Sequence, residues 1–350
     1  MKVLHVIDNL NLANTRQIML LAPALAKAGC TFEICCLGAG GLQLEELRRA
    51  QIPFDVLGWT RWLDATAAWK LRTRLRGGHD IVHVWGLAAL RAAAVLAPQL
   101  LPRVVVSSPL SRSGKFSWWE RRLLRRVGCV ALAGESQRQE CARQRLGDVR
   151  WRIIAAMVST TEPAVPGCLG TGDPRRVACV GALERGGGFR EAVWAADILR
   201  YVFADFHVVM FGPGPGRTDV EAMVSRLDIG NVHLIEEKDE AAGALASAGI
   251  CWVPSVADQG RDEALKAMAL GRAVVASDVP CLRELIRDGV TGCLVPPGDA
   301  VALARRTRAL LRDGSLCQQL GQAARADIVD RCAPARVAPR WHALYNDLAA

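Results

Sequence analysis

Three consecutive glycines, Gly186, Gly187 and Gly188, stand between a β-rich run and a helical one. Backbone N–H groups at such a helix start can cradle a phosphate, although a glycine run is also simply a flexible turn. Arg185 stands directly before them. A second turn, Gly212-Pro213-Gly214-Pro215-Gly216, follows another apolar run; alone it is a weak signal, shared by many Rossmann-like domains. Further on, Asp258, Gly260, Arg261, Asp262, Glu263 and Lys266 put both signs of charge into one short stretch. Asp262 and Glu263 open a helix, where carboxylates stabilise the macrodipole. Lys266, as an ammonium, donates hydrogen bonds but accepts none. The six histidines are not spaced as metal ligands, and no Ser-His-Asp or Cys-His arrangement emerges. Neither a metal site nor a nucleophilic triad is expected. His83, near the carboxyl end of a strand, reads either as a site residue or as a structural histidine; His5, in the first strand, reads as core.

The net charge of +9 is uneven. Residues 1–172 hold 23 Lys and Arg against 12 Asp and Glu, whereas residues 173–350 hold 21 against 23. The densest basic stretch runs from Arg112 to Arg126 and contains Trp118 and Trp119 at a helix start. That combination suits an anionic membrane surface or an anionic acceptor. The other reading is a solvated face with both tryptophans turned into the core. No nucleic-acid-binding motif accompanies the charge, so no nucleic acid is expected.

These residues need elements to hold them. At 350 residues and 51% hydrophobic content the chain suits two domains. Short apolar runs alternate with helical patterns from end to end, which predicts α/β architecture with parallel sheets. The segment 160–174, with its prolines and glycines, breaks the rhythm. It divides the chain into a first domain (1–160), a linker (161–174), a second domain (175–322) and a helical tail (323–350) with breaks at Pro334 and Pro339. The twelve cysteines form no CxxC pair and read as core fillers in a reducing cytoplasm. The start MKVLHVIDNL reads as a strand rather than a secretory signal. The longest apolar run, 86–101, is interrupted by Arg91, Pro98 and Gln99 and reads as a buried helix. No GxGxxG follows the first strand, which argues against a nicotinamide-dependent dehydrogenase. The sequence carries no signal of oligomeric state.

One long stretch, Ile250 to Asp299, carries a recognisable pattern: ICWVPS, a loop and helix ending Ala267-Met268-Ala269-Leu270-Gly271, the strand AVVASD, and the closing GVTGCLVPPGD. It resembles the donor-sugar half of group 1 (family 4) retaining glycosyltransferases. The resemblance implies a GT-B fold, two Rossmann-like domains whose parallel sheets face a central cleft, with the tail helix crossing back to the first domain. It implies hexose transfer from a nucleotide-diphosphate sugar, with retention, to an acceptor held by the first domain, whose basic stretch points to a lipid-linked or anionic one. No cofactor is implied beyond that co-substrate, and no obligatory metal. The family places Gly181, Gly212, Gly214, Ser255 and Gly260 on the donor side. Its two acidic positions fall on Asp258 and Lys266, so the first carboxylate is kept and the second is replaced by a cation. Its two phosphate-facing cations fall on Ala182 and Gly187. Arg185, Arg261 or Lys266 would then take over the diphosphate, with Asp258 and His83 as the catalytic candidates. Those replacements, with a first loop free of glycine, also fit a non-catalytic relative acting as a binding or scaffold module.

Overall fold

The computed structural model describes residues 1–8, 12–39, 44–59, 64–109, 115–144, 146–159, 173–212, 214–235 and 238–350, the side chains of 12, 13, 46, 174 and 238–242 excepted. The chain forms two compact units, Met1–Met157 together with Cys332–Ala350, and Val158–Arg331.

Unit 1 runs β1 (Lys2–Ile7), α1 (Leu12–Ala26), β2 (Thr31–Cys36), α2 (Leu44–Arg49), β3 (Phe54–Val56), α3 (Ala65–Leu75), β4 (Ile81–Trp85), α4 (Leu87–Leu96), β5 (Val104–Ser107), α5 (Trp118–Leu124), β6 (Cys129–Leu132), α6 (Glu135–Arg143) and β7 (Trp151–Ile153). Its seven strands are all parallel, in the order β3-β2-β1-β4-β5-β6-β7. Strands such as β4, with every residue buried, are apolar on both faces because helices cover both. One face, with Val82 and Val84, packs under α3, α4 and α5. The other, with Ile81 and Trp85, packs under α1 and the last helix.

Unit 2 runs β8 (Asp173–Val180), α7 (Phe189–Arg200), β9 (His207–Phe211), α8 (Arg217–Arg226), β10 (Val232–Ile235), α9 (Lys238–Ser247), β11 (Ala248–Val253), α10 (Arg261–Ala269), β12 (Ala273–Ser277), α11 (Pro280–Arg283), β13 (Cys293–Val295), α12 (Ala300–Arg312) and α13 (Gly314–Cys332). Its parallel sheet has the order β10-β9-β8-β11-β12-β13. Within each unit the strand order reverses once, between β1 and β4 and again between β8 and β11. Such a reversal leaves a crevice at the carboxyl ends of the two strands, where ligands of doubly wound sheets bind.

The final helix, α14 (Pro334–Ala349), belongs to unit 1, and the return to that unit begins at Cys332 rather than at 323. Pro334 separates α13 from α14, as a proline at a first helical turn does. Pro339 does not break the helix. It lies in the second turn, and Val337, Ala338, Trp341, Leu344 and Tyr345 are buried around it. Most of the expected linker lies outside the described residues; Asp173 and Pro174 already belong to β8.

Candidate active site

The loops after β8, β9 and β11 are sewn to one another through backbone. Gly181 N–H donates to the Phe211 carbonyl at 3.1 Å, and Gly216 N–H to the Leu183 carbonyl at 2.8 Å. Val256 and Ala257 N–H both donate to the Gly186 carbonyl, at 2.9 and 3.3 Å. The glycines permit this closeness. A Cβ on Gly188, which has φ +74°, would lie 1.7 Å from the Pro254 carbonyl oxygen; one on Gly212 would lie 1.8 Å from that of Gly181. The Gly186–Gly188 run is therefore a packed joint between the β8 and β11 loops.

Gly188 is also the N-cap of α7 and has no side chain to offer. The helix opens at the crevice between β8 and β11 with N–H groups that no side chain of its N-cap satisfies. Arg185, one short turn earlier, is exposed and makes no ion pair with a described residue.

The other sequence candidates fall around this joint with different roles. Gly214 is exposed in the β9 loop, and Ser255 is buried behind Gly260, the N-cap of α10. Asp258 is exposed, and its Oδ1 accepts from Cys281 N–H at 2.6 Å, fastening the β11 loop to the start of α11. Lys266 is half-buried on α10, one turn beyond Glu263. Glu263 itself has its carboxyl pushed up by burial first and by Asp262 second, with Lys266 opposing.

Two candidates do not take the expected place. The Arg261 side chain is only 13% exposed; one of its terminal nitrogens donates to Glu284 at 2.8 Å and to the Cys281 carbonyl at 3.3 Å. Its charge is paired inside the unit, so it is not an unpaired cation, although its Nε is buried without a partner. Glu284, the partner, stands 23 residues away and carried no periodic or motif signal that pointed to it.

His83 is a core residue, not a catalytic one. It is fully buried in unit 1 on the face of β4 that α14 covers. Nδ1 bonds the Tyr345 hydroxyl at 2.7 Å, Nε2 bonds Ser107 Oγ at 2.8 Å, and the ring stacks on Trp85 at 4.5 Å. Burial, with His5 beside it, holds its pKa well below the usual value. Beneath it, His5 Nδ1 accepts from Trp85 Nε1 at 3.0 Å while its Nε2 is buried without a partner, and burial holds His5 down to about 3. Neither ring reaches solvent.

The crevice of unit 1 holds a residue the sequence did not single out. Asp8, at the end of β1, accepts from the N–H of Ala89 at the start of α4. Burial raises its pKa, partly offset by the Ala89 and Ala88 N–H groups and by Arg91. Its signal was its position one residue beyond the first strand.

In the basic stretch, Trp118 is 72% and Trp119 43% exposed, so they are not turned into the core. Ser117 and Glu120 form a reciprocal capping box that starts α5. Glu120 is buried and paired with Arg91. Arg121 and Arg125 are turned onto the carbonyls of Phe116 and Leu146. Lys115, Arg122 and Arg126 are exposed and make no ion pair with a described residue. Arg112 lies outside the described residues. Among the described residues no helix is long and apolar enough to cross a membrane, and no group of three or more His, Cys, Asp or Glu is placed to hold a metal. The eleven described cysteines are all buried.

Comparison with known proteins places these features. The model for "Glycosyl transferases group 1" matches residues 174–313, and that for "Glycosyltransferase Family 4" matches residues 15–162. The chain is 35% identical over 139 residues to a phosphatidyl-myo-inositol mannosyltransferase of Mycobacterium leprae, a match spanning 38% of this chain and 37% of that protein. It is 25% identical over 347 residues to the 2-deoxystreptamine glucosyltransferase of Streptomyces kanamyceticus, covering 85% and 89%. Among solved structures, a glycosyltransferase of Rickettsia africae superposes with a TM-score of 0.81 at 14% identity over 99% and 98% of the two chains. Anabaena HepE, in complex with UDP and glucose, gives 0.81 at 17% identity over 99% and 100%. At these identities the structures establish the shared fold.

Proposed function

Since the chain belongs to the group 1 (family 4) glycosyltransferases of GT-B fold, we propose that it moves a hexose from a nucleotide-diphosphate sugar to an acceptor, with retention of configuration. The observation that carries this is the uncapped N-terminus of α7 at the β8/β11 crevice, with exposed Arg185 beside it. A departing nucleoside diphosphate gains negative charge in the transition state. Fixed N–H dipoles and an unpaired guanidinium stabilise that charge without reorganising. HepE, which shares the fold, has been seen with UDP and with UDP-glucose, which supports a nucleotide sugar as the donor. Lys266 supplies a second cation on α10. Asp258 is the carboxylate nearest the β11 loop that could orient the sugar.

The acceptor is lipid-linked or anionic in this reading, presented at a membrane face to which the protein is peripheral and cytoplasmic. Trp118 and Trp119 would sit at headgroup level while Lys115, Arg122 and Arg126 meet anionic lipid. Calorimetry against a panel of UDP- and GDP-sugars tests the donor half. Saturable binding that weakens in Arg185→Ala is the expected result. No binding at millimolar concentration would leave the chain as a non-catalytic member of its family.

A further inference from the structure

A second concave surface of unit 2 lies toward the amino ends of its strands, away from the loops just described. It is a groove of about 550 Å³, within the usual range for small-molecule sites, formed where α9 crosses β8, β9 and β10. Strand register puts Arg176 opposite His207 and Val209 opposite His233. With the two-residue period of a strand, Arg176, His207, Val209, His233 and Ile235 therefore share one face of the sheet. Above them, among the described side chains, α9 and the start of β11 present Ala244, Ser247 and Ala248, all small.

The polar groups in this groove are poorly used by the protein. The His207 and His233 rings lie nearly parallel, 5.9 Å apart and 21° from coplanar, both exposed and bonded to no described residue. Among the described residues the Arg176 guanidinium pairs with Asp173 at 3.6 Å, with both side chains about half exposed, a pair of small worth. Two imidazoles and a guanidinium are thus nitrogen donors on one face of the sheet, over an apolar floor of Val209 and Ile235. Donors of this kind match an oxyanion, which a guanidinium receives in a fixed fork. Among the described lining residues the third charged group beside the two imidazoles is a cation rather than a carboxylate, which suits a divalent metal less well.

We propose that this groove binds a small molecule carrying an oxyanion, a phosphate or a carboxylate, on an apolar or aromatic body. The site is separate from the donor loops and does not rest on the transferase reading. The test follows the imidazole proton resonances of the full chain by NMR during titration with inorganic phosphate, phenyl phosphate and benzoate. Resonances of His207 and His233 are identified by their loss in His207→Gln and His233→Gln. Both should move together with one saturable constant, more tightly for phenyl phosphate than for inorganic phosphate, while buried His5 and His83 stay still. The stronger of phenyl phosphate and benzoate tells a phosphate site from a carboxylate one. Arg176→Ala should weaken binding about tenfold or more, the loss expected for one charge-assisted contact. Static resonances at tens of millimolar, or equal affinity in Arg176→Ala, would overturn the proposal. So would displacement by UDP, which would place the probe at the donor loops, or a response to Zn²⁺ alone.

Discussion

His83 Nδ1 and the Tyr345 hydroxyl meet at 2.7 Å although 262 residues separate them. The bond joins the fourth strand of unit 1 to its last helix, and Ser107 completes the ring's valences from β5. Tyr345→Phe keeps the shape but leaves a buried imidazole nitrogen unpaired. Urea unfolding should show a loss of about 1–3 kcal/mol. Unchanged stability would mean that the ring finds another partner.

The same core predicts an acid response. His5 and His83 are held neutral by burial, so the unfolded chain binds more protons once pH falls below about 6.5. Stability is therefore full above that pH and lost as pH drops toward the depressed folded values, by about 1.4 kcal/mol per unit for each histidine. Unfolding midpoints between pH 7.5 and 4.5 should fall accordingly, and less steeply in His5→Gln. Equal slopes in both proteins would refute the assignment.

The cations of unit 2 should separate into two kinds. Arg185→Ala and Lys266→Ala should each weaken UDP-sugar binding about tenfold or more, the worth of a charge-assisted contact. Glu284→Ala strands the largely buried Arg261 charge and should lower stability by about 3 kcal/mol or more. Calorimetry and thermal unfolding on these three variants and on Arg261→Ala distinguish the roles. A binding loss confined to Arg261→Ala would return that residue to the donor site.

Gly188→Ala tests the joint between the loops. The new Cβ would sit 1.7 Å from the Pro254 carbonyl oxygen, at a φ of +74° that alanine disfavours. A loss of about 2 kcal/mol or more and weaker nucleotide binding are expected together. If stability falls while binding holds, the α7 terminus is not the anion site.

Trp118→Ala with Trp119→Ala, and separately Arg122→Ala with Arg126→Ala, should each reduce co-sedimentation with phosphatidylserine vesicles. Each basic group near such a surface is worth roughly 1 kcal/mol, so the arginine pair should cost on the order of tenfold or more, and added salt should mimic it. Sedimentation indifferent to lipid charge would mark the patch as a solvated face.

The sequence announced the alternation of strands and helices clearly, because strands buried on both faces, such as Ile81–Trp85, read as unbroken apolar runs. It also located the loops after β8, β9 and β11 through Gly181, Gly212 and Ser255. Pairings between distant side chains were not legible. Nothing local links Arg261 to Glu284 or His83 to Tyr345, since each partner is chosen by how the sheet and its helices stack. The exposed tryptophans show the same limit. Helical position placed Trp118 and Trp119 at the start of α5, but which way they point depends on Glu120 turning inward to Arg91.

The division of unit 1 into two separated stretches fixes an order of events during synthesis. Unit 2, Val158–Arg331, is continuous in the chain and draws on no later residue for its core, whereas unit 1 needs Cys332–Ala350. The first sheet is made earlier but finishes later. The face that α1 shares with α14 stays partly open until Trp341 and Tyr345 arrive to pack on His83. The oldest part of the polypeptide thus waits on one of the youngest, and the ground around His83 is open to aggregation or chaperone capture until α14 docks.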